Sequence, residues 1–138
     1  MKWMILGGEG QLGRAISKEL ALRGVEFISL NREQLDITNQ MNIKKWFEEE
    51  SPDVVVNAAA WTNVDSAESE EKKALLVNAF GPKYLAEECA ESGVRFIQIS
   101  TDYVFSGDAT SPWGEFEETE PTSAYGRTKA QVERFVLD

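Results

Sequence analysis

Trp3-Met4-Ile5-Leu6-Gly7-Gly8-Glu9-Gly10-Gln11-Leu12-Gly13 is an apolar run that breaks into glycines, after which Leu12, Ile16 and Leu20 recur every four residues until Gly24. An apolar run stopped by glycine reads as a strand and a turn, and the four-residue recurrence reads as one face of a helix. The glycines satisfy G-x-x-G-x-x-G from Gly7 and G-x-G-x-x-G from Gly8. Between a strand and a helix, either spacing predicts a cradle for a dinucleotide pyrophosphate. Glycines at Gly7 and Gly10 permit the tight turn and a close backbone approach, free amides at the start of the helix favour negative charge, and Gly13 lets helix and strand pack closely. A glycine-rich turn without a ligand is the plain alternative. No Gly-Lys-Ser/Thr follows, which disfavours a phosphate-loop NTPase.

Outward from that turn, residues 26–30 read as a second strand and residues 39–50 as a second helix with Ile43, Trp46 and Phe47 on one face. The run at 53–57 contains Val54-Val55-Val56 without polar alternation, which suits a strand covered on both sides in a parallel sheet. Residues 71–92 read as a long helix in which Gly81-Pro82 predicts a kink or a split. A fourth strand is expected at 95–100, then a loop rich in Gly, Pro and acids to Thr122, then a last helix from about residue 123. The expected fold class is α/β, a doubly wound parallel sheet of the Rossmann-like NAD(P)-binding kind, with one domain over residues 1–138. No further strand follows the last helix, so the fold reads as truncated.

A net charge of −10, with 14 basic residues scattered along the chain, argues against a nucleic-acid partner, because a phosphate backbone demands clustered Lys and Arg. No stretch approaches the roughly 20 apolar residues of a membrane span, so no membrane partner is expected and a cytoplasmic location follows by default. The chain has no His and a single Cys, which disfavours zinc, and no catalytic metal is expected. Cys89 lies in an amphipathic helical pattern and reads as a small buried hydrophobe.

At the other end of the chain, Tyr125 and Lys129 stand four apart in the last predicted helix and share a face. Reducing a ketone requires hydride on carbon and a proton on oxygen, and a phenol donates that proton only if its pKa of about 10 is lowered. Lys129 is placed to lower it and to reach a nicotinamide ribose, and Thr101, after the fourth strand, is placed to hold the carbonyl oxygen. Without the glycine turn, Tyr125 and Lys129 would read as a surface pair; with it, the combination points to carbonyl reduction using NADPH or NADH. Thr101 and Asp102 also suit a plain turn cap. Asn31 suits a ribose hydroxyl, and Arg32 stands where it could meet a 2′-phosphate, a slight tilt to NADP(H). Phe105, Trp113 and Phe116 suit either core or a stacking wall.

Gly7-x-x-Gly10-x-x-Gly13, Asn57-Ala58-Ala59-Ala60, Ser100-Thr101-Asp102-Tyr103-Val104-Phe105 and Tyr125-Gly126-Arg127-Thr128-Lys129 together resemble the extended short-chain dehydrogenases/reductases. Within them the dTDP-4-dehydrorhamnose reductase family is most similar. The resemblance implies reduction of the 4-keto group of dTDP-4-dehydro-L-rhamnose by NAD(P)H, in the synthesis of a polysaccharide precursor. It implies that Gly10, Gln11 and Leu12 cradle the pyrophosphate, Asp36 and Ile37 contact adenine, and Ala60, Trp61 and Thr62 line the cofactor channel. Tyr125 and Lys129 would be acid and cofactor anchor, and Thr101 and Asp102 would contact the nucleotide-sugar substrate. Asn63 to Glu68 resembles the segment after the third strand in these reductases. Members run about twice this length, so the C-terminal strands and the substrate-binding lobe are expected to be absent here. A homodimer is left open. Some members bind Mg²⁺ through a glutamate of the first helix, but Ala15 stands at that position and no metal is carried over. A 4,6-dehydratase or epimerase of nucleotide sugars, which usually has an acid where Tyr103 stands, is the alternative within the class. A non-catalytic subunit like the β subunit of methionine adenosyltransferase is the alternative outside it.

Overall fold

Four short strands, β1 (Lys2–Leu6), β2 (Glu26–Leu30), β3 (Val54–Asn57) and β4 (Arg95–Gln98), form one parallel sheet in the order β2-β1-β3-β4. The computed structural model describes residues 1–137. Strand β1 pairs Met4 with both Ile28 and Val55, and Leu6 with both Leu30 and Asn57. This register sorts the apolar side chains onto two faces. Met4, Leu6 and Val55 pack against Ile43 and Phe47 of helix α2 (Gln40–Glu50) and Leu85 and Cys89 of α5 (Gly81–Ser92). Ile5, Val54 and Val56 pack with Leu20 and Ile16 of α1 (Gln11–Leu22) on the opposite face. Helices on both faces are the condition that lets a strand such as β3 be apolar throughout. The sheet is therefore doubly wound, as expected. Its order reverses between β1 and β3, and open α/β sheets have their crevice at the carboxyl ends of strands at such a point.

The second helix begins where Asn39 caps it, with the side-chain oxygen accepting from the Asn42 amide. Two further helices, α3 (Val64–Ser69) and α4 (Glu71–Leu75), follow β3, and α6 (Ala124–Leu137) ends the described chain. Helix α3 was not expected; Asn63 caps it through the Ser66 amide.

The irregularity expected near Gly81-Pro82 lies one turn earlier. Residues Leu76–Phe80 form a π-helical turn, in which the Gly81 amide bonds the Leu76 carbonyl, and Pro82 sits in the first turn of α5. Proline cannot donate to the carbonyl four residues before it, here that of Asn78, and its ring crowds that oxygen. Widening the preceding turn relieves the conflict.

Strand β4 stops at Gln98, short of Ser100. The partner strand ends at Asn57, whose side-chain Nδ2 donates to Gln98 Oε1 at 2.8 Å, and Gln98 Nε2 in turn donates to the Ile99 carbonyl at 2.8 Å. No helix among the described residues is long and apolar enough to cross a membrane.

Cys89 is buried against the sheet, and burial pushes its thiol up to about 12. Since the thiolate is the reactive form, Cys89 should resist iodoacetamide at pH 8 in the folded protein and react fully in denaturant. Alkylation followed by mass spectrometry checks this; rapid labelling of the native chain would contradict the packing.

Candidate functional site

The glycine turn is built for close approach. Gly7 adopts φ +74°, and a Cβ there would lie 2.7 Å from the Ala59 nitrogen at the end of β3. A Cβ on Gly13 would lie 2.3 Å from the Gly7 carbonyl oxygen, so the first turn of α1 rests directly on the loop before it. The Gly8 amide donates to the Leu30 carbonyl at 2.9 Å and ties the turn to the end of β2. Gly10 opens α1 with no side-chain cap, which leaves the amides of the first helical turn for an anion.

Above this turn lies a crevice of about 750 Å³. Its walls include Gly7, Gly10, Gln11 and Leu12 from the turn, Asn31, Arg32, Asp36 and Ile37 after β2, Ala60, Trp61 and Thr62 after β3, and Tyr125 and Lys129 of α6. Gly13 is buried behind the turn. The two ends of the chain singled out by their motifs therefore border one space.

At the β2 end, Asn31 Oδ1 accepts from the Gln34 amide at 3.0 Å, and its Nδ2 donates to Glu9 Oε1 at 3.0 Å. Burial pushes the Asp36 carboxyl up. The Thr38 hydroxyl at 2.7 Å, the Thr38 amide at 2.9 Å and the charge of Arg32 outweigh that effect and hold it below its ordinary value.

In the middle, Trp61 is fixed by Asn78, a residue that the sequence reading passed over. The Trp61 amide donates to Asn78 Oδ1 at 2.7 Å, and Asn78 Nδ2 donates to the Trp61 carbonyl and to Thr128 Oγ1, both at 3.0 Å. Asn78 is 1% exposed and lies in the π-helical turn. One buried amide thus joins the crevice wall, the widened turn and α6. Its signal in the sequence is a polar residue inside the apolar run Ala74-Leu75-Leu76-Val77-Asn78-Ala79, four before a proline.

At the α6 end, Lys129 is 3% exposed and its Nζ donates to the Ile99 carbonyl at 2.6 Å. Burial brings the ammonium down to about 8, against the opposing charge of Glu133. Glu133 also accepts from the Ser100 hydroxyl. Tyr125 is half-buried and meets the Tyr103 ring edge-on, with centroids 5.5 Å apart. Glu68 of α3, also absent from the expected site, accepts from the Ala124 amide at 2.7 Å and so caps α6 from another helix. Arg127 binds Glu71 through two contacts of 2.8 and 3.0 Å, a bidentate pair that holds α6 to α4.

Thr101 and Asp102 lie apart from this crevice. With Phe105, Trp113 and Glu133 they line a neighbouring cavity of about 530 Å³, while Ser100 borders the crevice. Because β4 ends early, Thr101 begins a 3₁₀ turn (Asp102–Val104) and its hydroxyl accepts from the Tyr103 amide at 3.3 Å. The turn-cap use of Thr101 is the one present in this arrangement. Phe105 and Trp113 stack nearly parallel at 4.7 Å, and Phe116 is 98% exposed. None of these three forms the wall of the main crevice.

Residues 1–138 match the family described as RmlD substrate binding domain. A dTDP-4-dehydrorhamnose reductase of Streptomyces griseus is 44% identical over 137 residues, which are 99% of this chain and 45% of that protein. The crystal structure of a dTDP-4-dehydrorhamnose reductase from Clostridium acetobutylicum superposes with a TM-score of 0.96 at 48% identity, over 99% of this chain and 49% of that one. That of the Bacillus anthracis dTDP-4-dehydrorhamnose reductase in complex with NADP gives a TM-score of 0.95 at 34% identity, over 99% and 49%. The chain spans about half the length of the relatives it matches.

Proposed function

The chain belongs to the RmlD substrate binding domain family, and on that premise we propose that residues 1–138 are the dinucleotide-binding part of an NAD(P)H-dependent reductase of dTDP-4-dehydro-L-rhamnose. The observation that carries the proposal is the shared crevice, bordered by the uncapped start of α1 on one side and by Tyr125 and Lys129 on the other. The residues fit a dinucleotide. A Cβ on Gly7 would crowd the end of β3, so the turn keeps its backbone open to the crevice, and the first-turn amides carry no side-chain cap. When bound, the reduced nicotinamide supplies a hydride.

The chain's own part is binding and proton delivery. Amides of Gly10, Gln11 and Leu12 take the pyrophosphate charge. Ala60, Trp61 and Thr62 form the wall along the cofactor, with Trp61 held rigid by Asn78. Tyr125 gives its phenolic proton to the carbonyl oxygen of the sugar as that carbon is reduced: the phenol O–H breaks and the product hydroxyl forms. Lys129, one helical turn away, is cationic below about pH 8 and favours the phenolate left behind. Thr101 and Asp102 contact the sugar from the neighbouring cavity. The rest of the sugar site belongs to the other half of such a protein, which works in the cytoplasm.

An NADPH oxidation assay with dTDP-4-dehydro-L-rhamnose, in a protein of the relatives' length that carries these residues, tests the proposal. Tyr125→Phe should lower kcat by about 10²- to 10⁴-fold, the usual contribution of a general acid, with dinucleotide affinity unchanged. No turnover above that variant would contradict the proposal. Product formation without net loss of NADPH would point instead to an epimerase or dehydratase.

A further inference from the structure

We propose that Glu133 is a positioning residue of the reductase: by holding the Ser100 hydroxyl it fixes the link between the dinucleotide crevice and the neighbouring cavity, and with it the place of Thr101 relative to Tyr125. The inference rests on the reductase reading given above. Reduction needs the sugar carbonyl to meet the phenol and the nicotinamide together, so the two spaces must keep one register. The link between them is the stretch from Ile99 to Thr101. Ile99 and Ser100 border the crevice, and Thr101 borders the cavity.

Strand pairing does not fix the whole of that stretch. The ladder ends with Asn57 opposite Gln98, and the Ile99 amide adds a bond of 3.3 Å to the Asn57 carbonyl. Beyond it, side chains of α6 take over. Lys129 and Glu133 stand four apart in that helix and so share a face. Lys129 Nζ donates to the Ile99 carbonyl at 2.6 Å, and the Ser100 hydroxyl donates to Glu133 Oε1. One helix face thus grips two consecutive residues of the link.

Glu133 is placed to orient, not to react. It lines the cavity but not the crevice, whereas its partner Ser100 lines the crevice. Tyr125 lies about two turns before it on the same helix, with Lys129 between them. Helix α6 therefore carries proton donor, cation and tether as one unit, and the tether ties the chain that leads to Thr101 and Asp102 to that unit. A carboxylate accepts strongly from a hydroxyl, and Glu133 is half-buried, which limits competition from water. Without this bond the Ser100–Thr101 step is free to rotate, and the 3₁₀ turn that follows it moves as well.

NADPH oxidation with dTDP-4-dehydro-L-rhamnose, in a protein of the relatives' length that carries these residues, tests the role. Glu133→Ala should lower kcat by about 10- to 100-fold, the cost of a misplacement of about 1 Å, with NADPH affinity unchanged. Glu133→Gln keeps an oxygen for the hydroxyl and should stay close to the wild type. Ser100→Ala removes the same bond from the other side, so the double variant Ser100→Ala/Glu133→Ala should be no slower than the slower single one. An unchanged kcat in Glu133→Ala, a Gln variant as slow as the Ala variant, additive losses, or a loss confined to NADPH affinity would each overturn the role of Glu133 and leave the reductase reading standing. A wild type without turnover would overturn that reading, and the role of Glu133 with it.

Discussion

Gly13→Val should abolish dinucleotide binding, with a loss of affinity above about 100-fold, and should cost about 2–4 kcal/mol of stability. Even the first added carbon would lie 2.3 Å from the Gly7 carbonyl oxygen and 2.8 Å from the Gly8 Cα. Both neighbours are backbone atoms of the turn, so no side chain can rotate away. Either α1 lifts from β1, which uncovers Ile5 and Leu20, or the turn opens and loses the alignment of its amides. Gly24→Ala is the control. It carries φ +64° with open space around it, so it should cost only about 1 kcal/mol of backbone strain and leave binding intact. Urea denaturation and an NADH titration of both variants decide the matter; equal behaviour of the two would mean that the contact at Gly13 is not what shapes the turn.

Lys129→Met should remove turnover and dinucleotide anchoring while making the free chain more stable near neutral pH. The side chain is 3% exposed, and burial holds its folded pKa at about 8 against an ordinary 10.5. Between those two values the unfolded chain binds one proton more than the folded chain, so the stability of the wild type rises with pH from about 8 to about 10.5. Below about pH 8 both states are protonated, the slope vanishes, and the full cost of the buried charge is present. That cost is at most about 3 kcal/mol. The variant gives part of it back, because the Ile99 carbonyl loses its donor, a loss of about 1 kcal/mol. Urea midpoints at pH 7 and pH 9.5 check the sign. The wild type should gain stability between them, and the Met variant should lack that gain and lie above the wild type at pH 7. A variant less stable at both would show that the ammonium is a net structural asset.

The first turn and the doubly wound sheet were legible because each rests on local chemistry, whereas Asp36, Ile37 and Ala60 to Thr62 of the crevice wall came only through the family resemblance. Glycine spacing, the apolar run at Val54-Val55-Val56 and the four-residue recurrence from Leu12 to Leu20 need no distant partner to be interpreted. What escaped is tertiary. The six-residue helix α3 is too short for a periodic signal, yet it brings Glu68 to the Ala124 amide across the fold. Asn78 looks like an interruption in an apolar helix until Trp61 and Thr128 stand on either side of it. Proline at position 82 announced an irregularity, but only packing decided that it would be a π turn around Asn78 rather than a bend at Gly81. A strand of six would have carried Thr101 to the crevice edge; the strand ends at Gln98, and Thr101 instead opens a turn whose Tyr103 amide its hydroxyl accepts from. Glu9 reads as a filler between glycines until Asn31 is found bonded to it.

A ¹⁵N–¹H NMR titration of the chain with NADH reaches the central claim most directly, because it reports both sides of the crevice at once. Amides of Gly7 to Leu12 and those from Tyr125 to Lys129 should shift together and saturate with a single dissociation constant. Shifts confined to the glycine turn, or to α6 alone, would contradict a common dinucleotide crevice between them.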